Sequence, residues 1–224
     1  MMKRTAEQTK LKVCGLTSLE DARFVSGALA HYLGFIFYEE SPRHITPAKA
    51  GAIINWIQGP ECVGVFVNQP LDDVNAVARQ TGIDYVQLHG NENPEYCQLI
   101  EKPVIKVIHI NDESTPEELV KGIDAYQEVA DFLLFDTKTE DQWGGTGQSF
   151  DWKLLDKLTP DIPFFLSGGL TPDNVQSACR SVQSYGIDMS SGLEAEPGIK
   201  DFDKVERLMD KMRDIWEKQA TNKL

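Results

Sequence analysis

Apolar residues fall into two alternating kinds of segment: short runs of consecutive apolar positions, and longer stretches where they recur at helical spacing. The short runs are Leu11 to Cys14, Tyr32 to Phe37, Cys62 to Val67, Tyr85 to Leu88, Val104 to Ile108, Phe132 to Phe135, Phe164 to Leu166 and Tyr185 to Met189. Short and rich in Val, Ile, Phe and Tyr, they predict parallel strands buried on both faces. Helical patterns between them cover Ser18 to Ala30, Pro47 to Ile57, Leu71 to Gln80, Pro94 to Ile100, Pro116 to Val129, Asp151 to Leu158, Pro172 to Arg180 and Phe202 to Lys218. Ser18, with Asp21 following, reads as an N-cap, as does Asp201 before the last helix. Pro47 stands in a first turn, where a missing N–H costs nothing.

Strand followed by helix, eight times over, predicts an α/β fold: a single-domain (β/α)8 or TIM barrel. A doubly wound open sheet would use fewer strands, and its dinucleotide-binding form would place GxGxxG after an early strand, which this sequence lacks. Residues 1–10 read as a polar extension, 11–219 as the barrel and 220–224 as a tail. The irregular stretch Thr137 to Ser149 is long for a strand-to-helix loop and is a candidate lid or binding loop.

Composition narrows the function classes. No apolar run approaches the roughly 18 residues that span a bilayer, and Met1 to Lys10 lacks the apolar segment of a secretory signal, so the expectation is a cytoplasmic protein with no membrane partner. The four cysteines, Cys14, Cys62, Cys97 and Cys179, are scattered and form no CxxC, which argues against a zinc site or a disulfide framework. A net charge of −13 disfavours nucleic acid as a partner. It does not exclude a small anion, which backbone N–H groups and helix N-termini hold at contact distance.

Active sites of such barrels are built where strands end, so polar residues at those ends are the candidates. Cys14-Gly15 closes the first strand, Ser41-Pro42-Arg43 follows the second and His89-Gly90 the fourth. Asp136-Thr137 closes the sixth, Ser167-Gly168-Gly169 the seventh, and the eighth carries Asp188 before Ser190-Ser191-Gly192. The last two segments form a candidate phosphate cradle: glycines admit close backbone approach and serines donate. Gly144-Gly145-Thr146-Gly147 is a third contributor or a lid hinge. Cys14 is a chemical group or a small buried hydrophobe; Asp136 is a desolvated acid or the acceptor of a loop turn. His89 is an acid-base group or a structural hydrogen-bonder, and Arg43 a carboxylate clamp or a solvated loop residue. Cys62, Cys97 and Cys179 read as packing residues.

The strings LKVCGLTSLEDA, YLGFIFYEESPRHIT, VGVFVN, VQLHG, LLFDT, WGGTGQSFDW, FFLSGGLTPDNV and GIDMSSGLEAEPGIKD resemble the phosphoribosylanthranilate isomerases of tryptophan biosynthesis, from Lys12 to about Asp203 in order and spacing. Departures are small: Leu16 where that family often has Ile, and Thr146 where Ser is common. The resemblance implies an Amadori rearrangement of N-(5-phosphoribosyl)anthranilate to 1-(2-carboxyphenylamino)-1-deoxyribulose 5-phosphate. It implies Asp136 as the acid that opens the furanose ring and Cys14 as the base at ribose C2, which requires carboxylic acid and thiolate. Arg43 would contact the anthranilate, Asp188 the sugar, and Gly168, Gly169, Ser190, Ser191 and Gly192 the phosphate; His89 would bind substrate without transferring a proton. Such chemistry needs one acid and one base and no cofactor or metal. The partner expected is the small-molecule substrate, with monomer and homodimer both open.

A histidine-pathway isomerase resembles a two-aspartate arrangement, against which Cys14 speaks. Indole-3-glycerol phosphate synthase would want a lysine at a strand end, whereas Lys106 lies inside strand five. A noncatalytic phosphosugar-binding barrel would not need both proton-transfer positions.

Overall fold

A computed structural model describes residues 8–111, 113–137, 155, 158 and 160–221. Its strands are β1 (Lys10–Val13), β2 (Tyr32–Ile36), β3 (Glu61–Phe66), β4 (Tyr85–Leu88), β5 (Val104–Ile110), β6 (Phe132–Thr137), β7 (Phe164–Leu166) and β8 (Gly186–Met189). They pair in parallel in sequence order, and β8 closes on β1. The helices outside are α1 (Leu19–Gly27), α2 (Pro47–Ile54), α3 (Leu71–Thr81), α4 (Pro94–Gln98), α5 (Pro116–Tyr126), α6 (Val175–Ser181) and α7 (Phe202–Thr221). The expected helix from Asp151 to Leu158, the loop from 138 to 149 and its Gly144 to Gly147 segment lie outside the described residues, apart from Leu155 and Leu158.

Two apolar cores follow from the alternation of side chains along each strand. The larger one packs the outward faces of the strands, such as Leu11, Leu33, Phe66, Leu133 and Leu166, against the helices. The smaller fills the barrel interior with Tyr32, Val63, Ile105, Val107, Phe132, Leu134 and Phe165. Its rings interlock edge to face, Tyr32 with Tyr85 and Phe165, while Tyr32 and Tyr185 join hydroxyls at 2.9 Å.

The predicted caps are present: Ser18 Oγ accepts from the Asp21 amide at 3.0 Å, and Asp201 Oδ1 from the Lys204 amide at 3.1 Å. The helix expected from Pro172 starts instead at Val175, because Asn174 accepts from the Thr171 amide and donates to the Gly169 carbonyl, both at 2.8 Å, which fixes a turn over those residues. The barrel begins one residue earlier than the sequence suggests. Lys10 pairs with β8, and Thr9 is tied to α7 by Trp216 Nε1, which donates to its carbonyl at 2.8 Å, and by two bonds with the Gln219 amide. Strand pairing carries β5 and β6 two residues past their apolar runs, matching His109 with Asp136 and Ile110 with Thr137. An antiparallel hairpin, β9 (Glu194–Glu196) with β10 (Ile199–Lys200), follows β8 through a short 3-10 turn, Ser191–Leu193, and gives no hydrophobic pattern in the sequence.

Candidate active site

Alternation on β1 sends Leu11 and Val13 into the outer core and leaves Lys12 and Cys14 facing inward. Cys14 is 5% exposed and Lys12 not at all. A side chain beyond hydrogen at Gly34 on β2 would place its Cβ 2.6 Å from Cys14 Sγ, so the thiol occupies space that only glycine leaves. Lys12 Nζ lies 2.9 Å from the Oδ1 of Asp188, its register partner on β8. Burial alone would lower the Lys12 ammonium, but the Asp188 carboxylate and Cys14 outweigh it and hold it above its usual range. Burial pushes the Cys14 thiol up, opposed by Lys12 and Lys200 and reinforced by Asp188. Burial thus works against the thiolate inferred from the resemblance, because desolvation penalises the charged form. Burial likewise raises the Asp188 carboxyl against the pull of Lys12.

Across the barrel, Asp136 on β6 is 4% exposed, with His89 Nε2 3.3 Å from its Oδ2. Gln87 Nε2 sits 3.0 Å from His89 Nδ1. An amide nitrogen donates, so Nδ1 accepts from it. His109 Nε2 donates to the His89 carbonyl at 2.9 Å, and burial lowers this second histidine to about 4, keeping it neutral. Below the loop, Lys106 Nζ donates to the Gly90 carbonyl and to Glu92, each at 2.7 Å, and anchors the turn behind His89. Cys14, Lys12, Asp188, Asp136 and His89 thus belong to one buried electrostatic cluster.

Arg43 does not stand as an open fork. Its Nε and Nη2 grip Glu194 at 2.9 and 2.7 Å, leaving the Nη1 edge for another acceptor. Glu194 also receives Lys200 Nζ at 3.0 Å, and that ammonium donates to the Cys14 carbonyl at 2.7 Å. Burial would raise the Glu194 carboxyl, but Arg43 and Lys200 hold it below its usual range. Desolvation, in turn, lowers Lys200 despite Glu194.

The segments after β7 and β8 meet. Gly168 and Gly169 have φ of 86° and 62°, the left-handed region that glycine adopts without strain. Their amides meet no acceptor among the described residues. A Cβ at Gly192 would collide with the Leu170 carbonyl, so this glycine is what lets the two segments touch. Ser190 Oγ donates to the Cys14 carbonyl at 3.1 Å, so its hydroxyl proton is engaged by the protein and not offered to an anion. Ser191 opens the 3-10 turn beside it. Among the described residues, no group of His, Cys, Asp and Glu is spaced to hold a metal ion.

Lys12, His109, Glu194 and Lys200 escape a reading based on strand ends. Lys12 was visible as a charge two positions before Cys14 in an apolar strand, on the same face; His109 continues the inward alternation of Ile105 and Val107. Glu194 and Lys200 sit in a hairpin with no such signal.

A model of the family described as N-(5'phosphoribosyl)anthranilate (PRA) isomerase matches residues 11–211. This chain belongs to that family. Family membership makes it an isomerase of tryptophan biosynthesis with a TIM-barrel fold. A family relative from Trichlorobacter lovleyi, N-(5'-phosphoribosyl)anthranilate isomerase, is 43% identical over 202 residues, covering 88% of this chain and 94% of its own. The phosphoribosyl anthranilate isomerase structure from Thermotoga maritima superimposes with a TM-score of 0.84 at 36% identity, covering 92% of this chain and all of that one. Another family structure, in complex with reduced 1-(o-carboxyphenylamino)-1-deoxyribulose 5-phosphate, does so with a TM-score of 0.81 at 34% identity, covering 92% of this chain and 100% of its own.

Proposed function

We propose that this isomerase converts N-(5-phosphoribosyl)anthranilate to 1-(2-carboxyphenylamino)-1-deoxyribulose 5-phosphate with Asp136 as general acid and Cys14 as general base. The observation that carries the assignment of roles is that both side chains face the barrel interior, each almost fully buried, at the strand ends of one rim. Asp136 protonates the furanose ring oxygen, which leaves C1 and gives a Schiff base to the anthranilate nitrogen. Cys14 takes the proton from C2, the C–H electron pair forms the C1–C2 double bond of an enolamine, and tautomerisation yields the ketone. His89, whose Nε2 lies 3.3 Å from Asp136, sits beside that carboxyl and contacts the sugar; Asp188 binds a sugar hydroxyl.

Two remote groups orient the substrate, so that binding energy is spent on aligning the reacting atoms. The free edge of Arg43 takes the anthranilate carboxylate, with Glu194 fixing the guanidinium plane from behind. The phosphate sits against Gly168, Gly169, Ser191 and Gly192, with Ser190 supplying its backbone. The solved relative holding a carboxyphenylamino deoxyribulose phosphate supports these two anchors, since its ligand carries both anions. No helix among the described residues is long and apolar enough to cross a membrane.

Fluorescence turnover of freshly generated phosphoribosylanthranilate tests the assignment. Cys14→Ala and Asp136→Asn should each lower kcat by about 10²- to 10⁴-fold, the range typical of losing a positioned acid or base, with circular dichroism unchanged. Near-normal turnover in either variant removes that residue from the chemistry.

A further inference from the structure

Lys12 is a lysine in the interior of a barrel, fully buried, with its ammonium aimed between two strands' side chains. A buried charge persists only when it is compensated. Asp188 supplies one counter-charge at 2.9 Å, and Cys14, two residues on and on the same inward face just past the end of β1, interacts with the same ammonium. The other cation near Cys14 is fully engaged: Lys200 Nζ donates to the Cys14 carbonyl at 2.7 Å, to Glu194 at 3.0 Å and to the Ser190 carbonyl at 3.3 Å, which uses its three protons. Gly34 on β2 brings no charge to the thiol, while Asp136 and His89 act on Asp188.

We propose that Lys12 is a positioning residue for Cys14: its ammonium is the counter-cation that the sulfur needs when it holds a negative charge, and Asp188 keeps that ammonium in place. The proposal rests on Cys14 being the base. Before proton abstraction the thiolate and Asp188 share one ammonium. Once the C2 proton is on Sγ, the sulfur is neutral and the ammonium is left to Asp188, so the step moves the cation's partnership and no further proton. The direction in which Lys12 acts on the thiol agrees with this. The rival role is narrower, with Lys12 only neutralising Asp188.

Peptide-resolved labelling of Cys14 by iodoacetamide as a function of pH separates the two, because only the thiolate reacts. In Lys12→Met the midpoint of labelling should rise by at least about one pH unit, kcat should fall at least about 100-fold, and KM should stay within about threefold. Lys12→Arg should return the midpoint toward wild type. An unchanged midpoint in Lys12→Met overturns the proposal. Cys14→Ala distinguishes the failures: normal turnover there removes the base itself, whereas loss of turnover with an unchanged Lys12→Met midpoint removes only Lys12. Should Lys12→Met not fold, because Asp188 is left buried and unpaired, Lys12→Met/Asp188→Asn is compared with Asp188→Asn. A higher midpoint in the double variant supports the proposal, and equal midpoints overturn it.

Discussion

The thiol of Cys14 occupies a space defined by what β2 lacks. A Cβ at Gly34 would stand 2.6 Å from the sulfur, inside any tolerable separation, and the strand backbone behind it is held by its pairing with β3. Gly34→Ala should therefore swing or displace Cys14 while the barrel still forms. The expected result is a loss of about 1–3 kcal/mol of stability from overpacking, read from denaturant unfolding, and a fall in kcat far larger than that of distant glycine replacements. Unaltered kcat would show that the sulfur's place does not depend on that gap. The sequence exposed Cys14 and Asp136 as candidates because both terminate apolar runs. It showed Lys12 only as a charge interrupting a strand, whose role emerges once the barrel closes and gives the inward face a partner on β8.

At the scale of elements, the hairpin of β9 and β10 does more than join β8 to α7. Through Glu194 it clamps Arg43 from the loop after β2, and through Lys200 it grips the end of β1, so three separate rim segments share one carboxylate. Glu194→Gln should weaken that clamp. Because its folded carboxyl is held below the usual range, Glu194 contributes stability that is fully present above its unfolded pKa of about 4.3 and is lost as pH falls through the lower folded value. Thermal melting should thus show Glu194→Gln less stable than wild type at neutral pH, with the gap closing in acid; a constant gap from neutral to acid pH would contradict the ion-pair account. KM should rise more than kcat falls, since Arg43 would lose its fixed plane. This hairpin was illegible in the sequence for a physical reason: its strands are short, bury only Glu194 and Lys200, and are held by charge pairs, which leave no periodic apolar mark. The eight barrel strands, buried on both faces, were legible because burial on both faces leaves a short, mostly apolar run. Their ends were not, since pairing between β5 and β6 continues through His109 and Asp136 after the apolar run stops.

For the whole molecule, topology delivers all the chemistry to one end. At the other end the interior is plugged: Tyr32, Tyr85, Phe132, Phe165 and Tyr185 pack ring against ring across the barrel, and their close interlocking leaves a filled core in place of a pore. The barrel is a room with one door. Whatever enters by the rim must leave by it, and under the proposed anchoring a product that still carries both the phosphate and the carboxylate departs by breaking the same two holds that admitted its precursor. Product and substrate therefore exclude one another, and added product should raise the apparent KM without changing kcat at saturating substrate. A fall in kcat with KM unchanged would mean that the two molecules reach the protein by different routes, and the aromatic plug would then have to be a gate.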